Sequence, residues 1–139
     1  MSNNVEISVE IMAKTIYGEA RGEYKKPNGG INSLIAVGNV IMNRHVESGV
    51  SIEEVCLKPK QFSCWNMGDV NRQLVLNPPI GDVIYIMCLA TAQNIIDGKI
   101  KDITYGANHY HAKNITKIPR WAEGKVPTFE IGNHVFFKL

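Results

Sequence analysis

The segment from Asn32 to Arg44 constrains the fold more than any other part of the sequence. A helix over this range carries apolar side chains on most of its sides, namely Leu34, Ile35, Val37, Val40 and Ile41. Such a helix is stable only when other elements surround it, so we predict that it is the buried central helix. Gly38 lies in its middle and costs roughly 1 kcal/mol relative to alanine, which indicates close approach of another backbone.

Helical patterns also precede and follow this segment. Apolar residues three and four positions apart predict a first helix from about residue 6 to the region of residues 19–23. Ser51 and Glu54 form a capping-box pattern that starts a short helix. A third long helix is predicted over roughly residues 81–97, with an inward face formed by Val83, Ile84, Met87, Ala90, Thr91 and Ile95.

Beyond the third long helix the chain changes character. Residues 103–112 and 131–137 are rich in β-branched, aromatic and histidine side chains, which is typical of short strands or extended segments. Helices first and small β elements last indicate an α+β fold that is mainly helical, with a small β region toward the C-terminus. With 139 residues and no internal repeat, we expect one domain over residues 1–139.

The composition argues against several classes of protein. The net charge is only +2, and no basic run interleaved with aromatics is present, so we expect no nucleic-acid partner. No apolar stretch approaches the length of a membrane span, so we expect no membrane insertion. Three cysteines without CxxC spacing argue against a disulfide framework and a thiolate zinc site. The first residues lack the features of a secretory signal peptide.

Glu19 is the side chain that most strongly suggests chemistry. On a helical wheel it lies about 70° from the centre of the apolar face of the first helix, and Glu23 lies about 30° from it. A carboxyl at this border is partly buried, which disfavours its charged form and makes it a candidate proton donor. The alternative is a structural carboxylate that caps the helix, pairs with Arg21 or Lys25, or extends into solvent.

Two further groups of residues suggest a ligand site. Residues 60–66 mix aromatic and hydrogen-bonding side chains, a composition that suits a loop at a sugar or peptide site but also an aromatic cluster on the core. His109, His111 and His134 could join an acid in a zinc site. However, no HExxH helix is present, and these histidines equally suit hydrogen bonds to a substrate or the backbone. We therefore expect neither a metal nor a cofactor.

Six short motifs are specific when they are taken together. They cover nearly the whole chain and are Ile16–Glu23, Ala36–Arg44, Lys60–Ser63, Asp102–His111, Pro119–Ala122 and Ile131–Phe136. In this order they resemble the SleB/CwlJ-type cell wall hydrolases, whose best-described members are spore cortex-lytic enzymes. The resemblance implies a lysozyme-like α+β fold related to lytic transglycosylases, with the glycan strands of peptidoglycan as the partner.

The resemblance also implies a site and a reaction. Glu19, the first glutamate of the family's GEARGE motif, would be the catalytic acid that cleaves the β-1,4 bond between N-acetylmuramic acid and N-acetylglucosamine. In a lytic transglycosylase the sugar's own 6-hydroxyl attacks, which leaves a 1,6-anhydro-muramyl end. Asn108 departs from the family, which often has threonine there. The residues expected to contact substrate are Glu23, Gln61, Phe62, Ser63, Asn108, Tyr110, His111 and Trp121.

Other functions stay open from the sequence. They are a hydrolytic muramidase, a zinc-dependent N-acetylmuramoyl-L-alanine amidase and a non-catalytic cell-wall-binding module. The sequence lacks a signal peptide and a separate wall-binding module, which indicates a bare catalytic domain, as in a phage endolysin or a CwlJ-like spore protein. We expect a monomer that is synthesised in the cytoplasm and acts at the bacterial cell wall or spore cortex.

Overall fold

Helices form the first two thirds of the chain and a small sheet forms the rest. The computed structural model describes the backbone of residues 3–139 and the side chains from residue 6 onward. The helices are α1 (Asn3–Tyr24), α2 (Ile31–Ser48), α3 (Ile52–Leu57), α4 (Arg72–Leu76) and α5 (Val83–Ile96). The strands are β1 (His109–Ala112), β2 (Phe129–Ile131) and β3 (His134–Phe137). Single 3-10 turns occur at Ser63–Trp65 and Arg120–Ala122. The predicted α+β order is confirmed.

Helix α2 is buried, as its composition predicts. One side packs against α1, α3 and α5. Another side carries Ala36 and Val40, which pack against Ala107 and Phe136 of the β region. Helix α1 shares the central position, because it contacts α2, α3, α4, α5 and the Ser63–Trp65 turn.

Gly38 is explained by a side chain and not by the backbone that the sequence suggested. A Cβ at this position would overlap the Cδ1 atom of Ile95 and lie 3.2 Å from the Cδ1 atom of Ile16. Helix α2 therefore meets α5 and α1 where a larger residue would separate them.

The inward face of α5 differs from the prediction. Its buried residues are Cys88, Thr91, Ala92 and Ile95, whereas Val83 is 66% exposed and Ala90 is also exposed. Because α5 is apolar over most of its length, its own pattern does not select a face, and packing against α1 and α2 does.

Hydrogen bonds of the backbone confirm two predicted helix starts. The Ser51 hydroxyl accepts a hydrogen bond from the Glu54 N–H at 3.1 Å and begins α3. Asp82 begins α5 by accepting from the N–H groups of Ile84 and Tyr85. Helix α4 was not predicted. None of the helices in the described part of the chain has the length and apolar character that a membrane crossing requires.

The three strands form an antiparallel sheet in the order β1-β3-β2. Residues 131–137, expected as one extended segment, instead hold the end of β2, a turn at Gly132 and Asn133, and β3. Side chains alternate between the faces. The face toward the helices carries Tyr110, Phe129 and Phe136, and the outer face carries His109, His111, Val135 and Phe137 together with Trp121.

Candidate active site

Glu19 lies near the C-terminal end of α1 and is partly exposed. Its Oε1 atom accepts a hydrogen bond from the Tyr110 hydroxyl at 2.5 Å. Its Oε2 atom accepts one from the Cys64 backbone N–H at 3.3 Å. Helix α1, the Ser63–Trp65 turn and strand β1 thus meet at this carboxylate. Because each carboxylate oxygen has two acceptor positions, both keep one for a ligand.

Gly18 makes the Cys64 contact sterically possible. A Cβ at residue 18 would lie 2.5 Å from the Cys64 Cβ and 2.6 Å from the Val75 Cγ2. Only glycine lets the Ser63–Trp65 turn and α4 pack so closely on α1. The glycine that precedes the acid therefore sets the distance between Glu19 and the Cys64 N–H.

Tyr110 is held as a proton donor toward Glu19. Burial raises the pKa of its hydroxyl well above the usual value, and the negative charge of Glu19 adds to the shift. The hydroxyl therefore keeps its proton. The ring packs against the rings of His134 and Phe136, with centroids 5.0 Å and 5.3 Å away. This packing fixes the direction from which the hydroxyl reaches the carboxylate.

A polar cleft of about 420 Å³ lies along α1 beside Glu19. Its residues come from the end of α1, the turn after it and the loop before α4, and they are Gly18, Glu19, Arg21, Gly22, Glu23, Lys25 and Asn71. The Arg21 Nη2 donates a hydrogen bond to the Asn71 Oδ1 at 2.7 Å. The volume lies within the range of small-molecule sites, so two carboxylates and several hydrogen-bonding groups line a space that can hold a ligand.

Glu23 borders the same cleft, but both of its carboxylate oxygens already accept hydrogen bonds. It is 8% exposed, and its Oε1 accepts a hydrogen bond from the Asn133 N–H at 2.7 Å. Its Oε2 lies 3.0 Å from the Lys26 Nζ. Burial acts to raise the pKa of Glu23, but the Asn133 and Lys26 hydrogen bonds outweigh it and lower the pKa below its ordinary value of 4.5. Glu23 is therefore a charged anchor that ties the β2–β3 turn to α1.

We expect Glu23→Gln to reduce the free energy of unfolding by about 1 kcal/mol at pH 7, because a neutral amide keeps only the weaker hydrogen bond. Because folding lowers the pKa of Glu23, its charged form stabilises the fold above about pH 4.5. This contribution to the free energy of unfolding is lost as the pH falls through the folded-state pKa. Denaturant unfolding at pH 7 and at lower pH should therefore show a gap between wild type and variant that narrows as the pH falls below about 4.5.

Glu130→Gln is the matched control for this measurement. Glu130 forms an exposed pair with Lys113 at 3.5 Å, and such pairs contribute about 0–1 kcal/mol. An equal gap at pH 7 for both variants, or a Glu23→Gln gap that does not narrow at any lower pH, would show that Glu23 is not the anchor described.

Three predicted contact residues lie elsewhere than at the acid. Phe62 is 2% exposed and packs under the Arg44 guanidinium, 5.1 Å from the ring centroid, so it offers no surface for stacking a sugar. Gln61 and Asn108 instead line a second cavity of about 400 Å³ with Arg44. The Asn108 amide donates to Glu47 and to the Leu139 carbonyl, which makes it a structural link.

Two other predicted contacts, His111 and Trp121, lie on the outer face of the sheet, away from Glu19. His111 follows Tyr110 in β1, so it points to the outer face while Tyr110 points to Glu19. There His111 stacks on Phe137 with ring centroids 5.4 Å apart, and Trp121 packs over both residues. Of the predicted loop residues, Ser63 is exposed and directly precedes Cys64, whose N–H donates to Glu19.

The faces of the sheet also separate the histidines. His109 and His111 lie on the outer face, whereas His134 packs against Tyr110 on the inner face. Among the side chains that the structure describes, no three His, Cys, Asp or Glu residues are grouped as metal ligands. The zinc site considered from the sequence is therefore not assembled from these residues.

Sequence reasoning missed three parts of the site. The Cys64 N–H is a backbone donor, which side-chain patterns cannot indicate. Asn71 stands in a segment with no recognisable motif. Arg21 lies within the Ile16–Glu23 motif, where it was considered only as a partner for a glutamate.

An α+β domain that presents one ligand-accessible carboxylate over a polar cleft has the parts of an acid–base enzyme. A family model described as cell wall hydrolase matches residues 29–137. The chain belongs to this family, as its motifs predict, and the protein is accordingly a glycosidase-type enzyme of the cell wall. No curated protein sequence matches it significantly.

Two solved structures resemble the whole chain. One is the catalytic domain of the germination-specific lytic transglycosylase SleB from Bacillus anthracis, with 26% identity, a TM-score of 0.67 and coverage of 99% of this chain and 97% of that one. The other is the catalytic domain of the Bacillus cereus SleB protein, with 25% identity, a TM-score of 0.68 and coverage of 99% and 98%. The matched family region begins after α1, but the structural likeness covers α1 as well.

Proposed function

We propose that this protein degrades peptidoglycan by cleaving the β-1,4 bond between N-acetylmuramic acid and N-acetylglucosamine, as a lytic transglycosylase. Membership of the cell wall hydrolase family supports the substrate, and likeness to a SleB lytic transglycosylase supports the reaction. The protein would act as a monomer at the cell wall or spore cortex, with no cofactor.

In this mechanism Glu19 acts first as an acid and then as a base. Its proton passes to the glycosidic oxygen, the bond to the anomeric carbon breaks, and positive charge develops on the sugar ring. The 6-hydroxyl of the same muramic acid then attacks the anomeric carbon and gives its proton to Glu19. The product is a 1,6-anhydro ring, and Glu19 returns to its starting state. The Tyr110 hydroxyl and the Cys64 N–H keep the carboxylate aligned between the steps.

We prefer a transglycosylase to a hydrolase because both carboxylate oxygens of Glu23 already accept hydrogen bonds. Most glycoside hydrolases need a second carboxylate, either as nucleophile or as the base that activates water. Glu23 is the other carboxylate of the cleft, and its two oxygens accept from Asn133 and Lys26. A reaction in which the substrate supplies the nucleophile needs only Glu19. Of the proposed sugar contacts, Tyr110 already donates to Glu19, and Ser63 is exposed directly before Cys64 in the chain.

Product analysis tests the reaction directly. We expect purified protein, incubated with peptidoglycan, to release muropeptides with 1,6-anhydro-muramyl ends, detected by mass spectrometry as a loss of water relative to reducing ends. Reducing muramic acid ends would indicate a muramidase instead. Free stem peptides and inhibition by a chelator would indicate a zinc amidase. Binding to glycan without any product would indicate a wall-binding module.

A further inference from the structure

The end of α1 separates charges of opposite sign across the cleft. On a wheel of 100° per residue, Glu19 and Glu23 lie about 60° and 100° to one side of Gly22, and Arg21 lies about 100° to the other side. Lys25 stands in the turn that follows α1. All five residues line the same cleft. A Cβ at Gly22 would meet no atom within 4 Å, so the floor between the two charged sides is open.

The two cations are free to bind an anion. The ion pairs in the described part of the chain are Lys14 with Glu10, Lys26 with Glu23, and Lys113 with Glu130. Neither Arg21 nor Lys25 therefore lies within 4 Å of a carboxylate oxygen of this part of the chain. Lys25 is exposed and Arg21 is partly buried. The cleft thus contains two cationic groups that form no ion pair with a carboxylate of the described chain.

Arg21 is also held in one orientation. Its Nη2 donates to the Asn71 Oδ1 at 2.7 Å, and its guanidinium carbon lies 5.4 Å from the centre of the Tyr17 ring. These contacts use one of the five N–H donors and leave the others for a ligand. A guanidinium held in this way loses little conformational freedom when it binds a carboxylate through two parallel hydrogen bonds.

We infer that Arg21, assisted by Lys25, binds a carboxylate of the stem peptide carried by the muramic acid at the cleavage site. The inference rests on the proposed function. The stem peptide starts from carbon 3 of the ring whose carbon 1 is attacked, so it leaves the sugar beside Glu19. An extended peptide advances about 3.3–3.6 Å per residue, so its first two residues span most of the roughly 10 Å width of a helix. A sugar on the Glu19 side then directs its peptide carboxylates toward Arg21.

Two substrates that differ only in the peptide test this inference. They are glycan strands with intact stem peptides and the same strands after enzymatic removal of the peptides. We expect Arg21→Gln to lower kcat/KM about tenfold on the peptide-bearing strands, through KM, because it removes a charge-assisted hydrogen bond. On the peptide-free strands the variant should match the wild type. Added salt should raise the wild-type KM on peptide-bearing strands, and it should raise that of Arg21→Gln less, because only Lys25 remains.

Lys14→Gln serves as the matched control, because Lys14 lies on α1 outside the cleft and pairs with Glu10 at 2.8 Å. It should behave as wild type on both substrates. Equal losses for Arg21→Gln on both substrates would show that Arg21 acts on the fold or the acid, and no loss on either would show no contact. Both results overturn the inference while leaving the proposed function standing. A wild type that releases no glycan product from either substrate overturns the proposed function and this inference with it.

Discussion

Glu19→Gln should lower kcat by about 100- to 10,000-fold, the range that a positioned general acid contributes. Glutamine has the same shape, and its single oxygen can accept from Tyr110 or Cys64, but it has no proton to transfer to the glycosidic oxygen. The assay is the rate of muropeptide release from peptidoglycan. Circular dichroism and thermal unfolding should match the wild type, which separates the loss of chemistry from a loss of fold.

Glu10→Gln is the control for this variant. Glu10 lies on the same helix, is exposed and pairs with Lys14, so its loss should cost no more than about 0.5 kcal/mol and leave activity unchanged. If Glu19→Gln kept full activity, the acid role proposed for Glu19 would be wrong. Activity that survives in Glu19→Gln but disappears with a chelator would point to a metal-dependent amidase.

Gly18→Ala should lower the free energy of unfolding, whereas the same change at Gly22, the other glycine of α1, should not. The new Cβ would lie 2.5 Å from the Cys64 Cβ and 2.6 Å from the Val75 Cγ2, and overpacking of this kind costs about 1–3 kcal/mol. Relief requires the Ser63–Trp65 turn to move away from α1. The Cys64 N–H would move with the turn, so activity should fall together with the free energy of unfolding.

Gly22→Ala is the matched control, because it makes the same change one turn further along the helix. A Cβ at Gly22 meets nothing within 4 Å, and alanine is favoured over glycine in a helix by about 1 kcal/mol. Denaturant unfolding should therefore show one variant less stable and the other equally or more stable than wild type. Equal stability of the two variants would contradict the close packing described at Gly18.

The main features of the fold could be predicted because they depend on local patterns. Helix α1 follows from apolar residues at helical spacing, and the start of α3 follows from the Ser51 capping box. The inward face of α5 could not be predicted, because a helix that is apolar on most sides takes its orientation from its neighbours. The hairpin at Gly132 could not be predicted either, since a single extended segment and two paired strands have similar local composition.

The candidate site could be predicted in part for the same reason. The position of Glu19 on α1 depends only on helical spacing. Whether Phe62 and His111 can reach a ligand depends on which surfaces the folded chain covers. Phe62 is buried under Arg44. The separation of His111 from Tyr110 follows from the strand itself, because neighbouring residues of a strand point to opposite faces. Asn108 could not be foreseen, because its partners come from the end of α2 and the last residue of the chain.

The hydrogen bond between Tyr110 and Glu19 joins residues 91 positions apart, and that from Cys64 joins residues 45 apart. Strand β1, which carries Tyr110, pairs only with β3, which ends at residue 137. Contacts between residues so far apart in the sequence form late in folding, because closing a long loop costs conformational entropy before the contact can stabilise the chain. During synthesis Glu19 therefore emerges well before its hydroxyl partner is fixed, which requires β3. Chains that have not yet reached β3 contain Glu19 without the structure that aligns it.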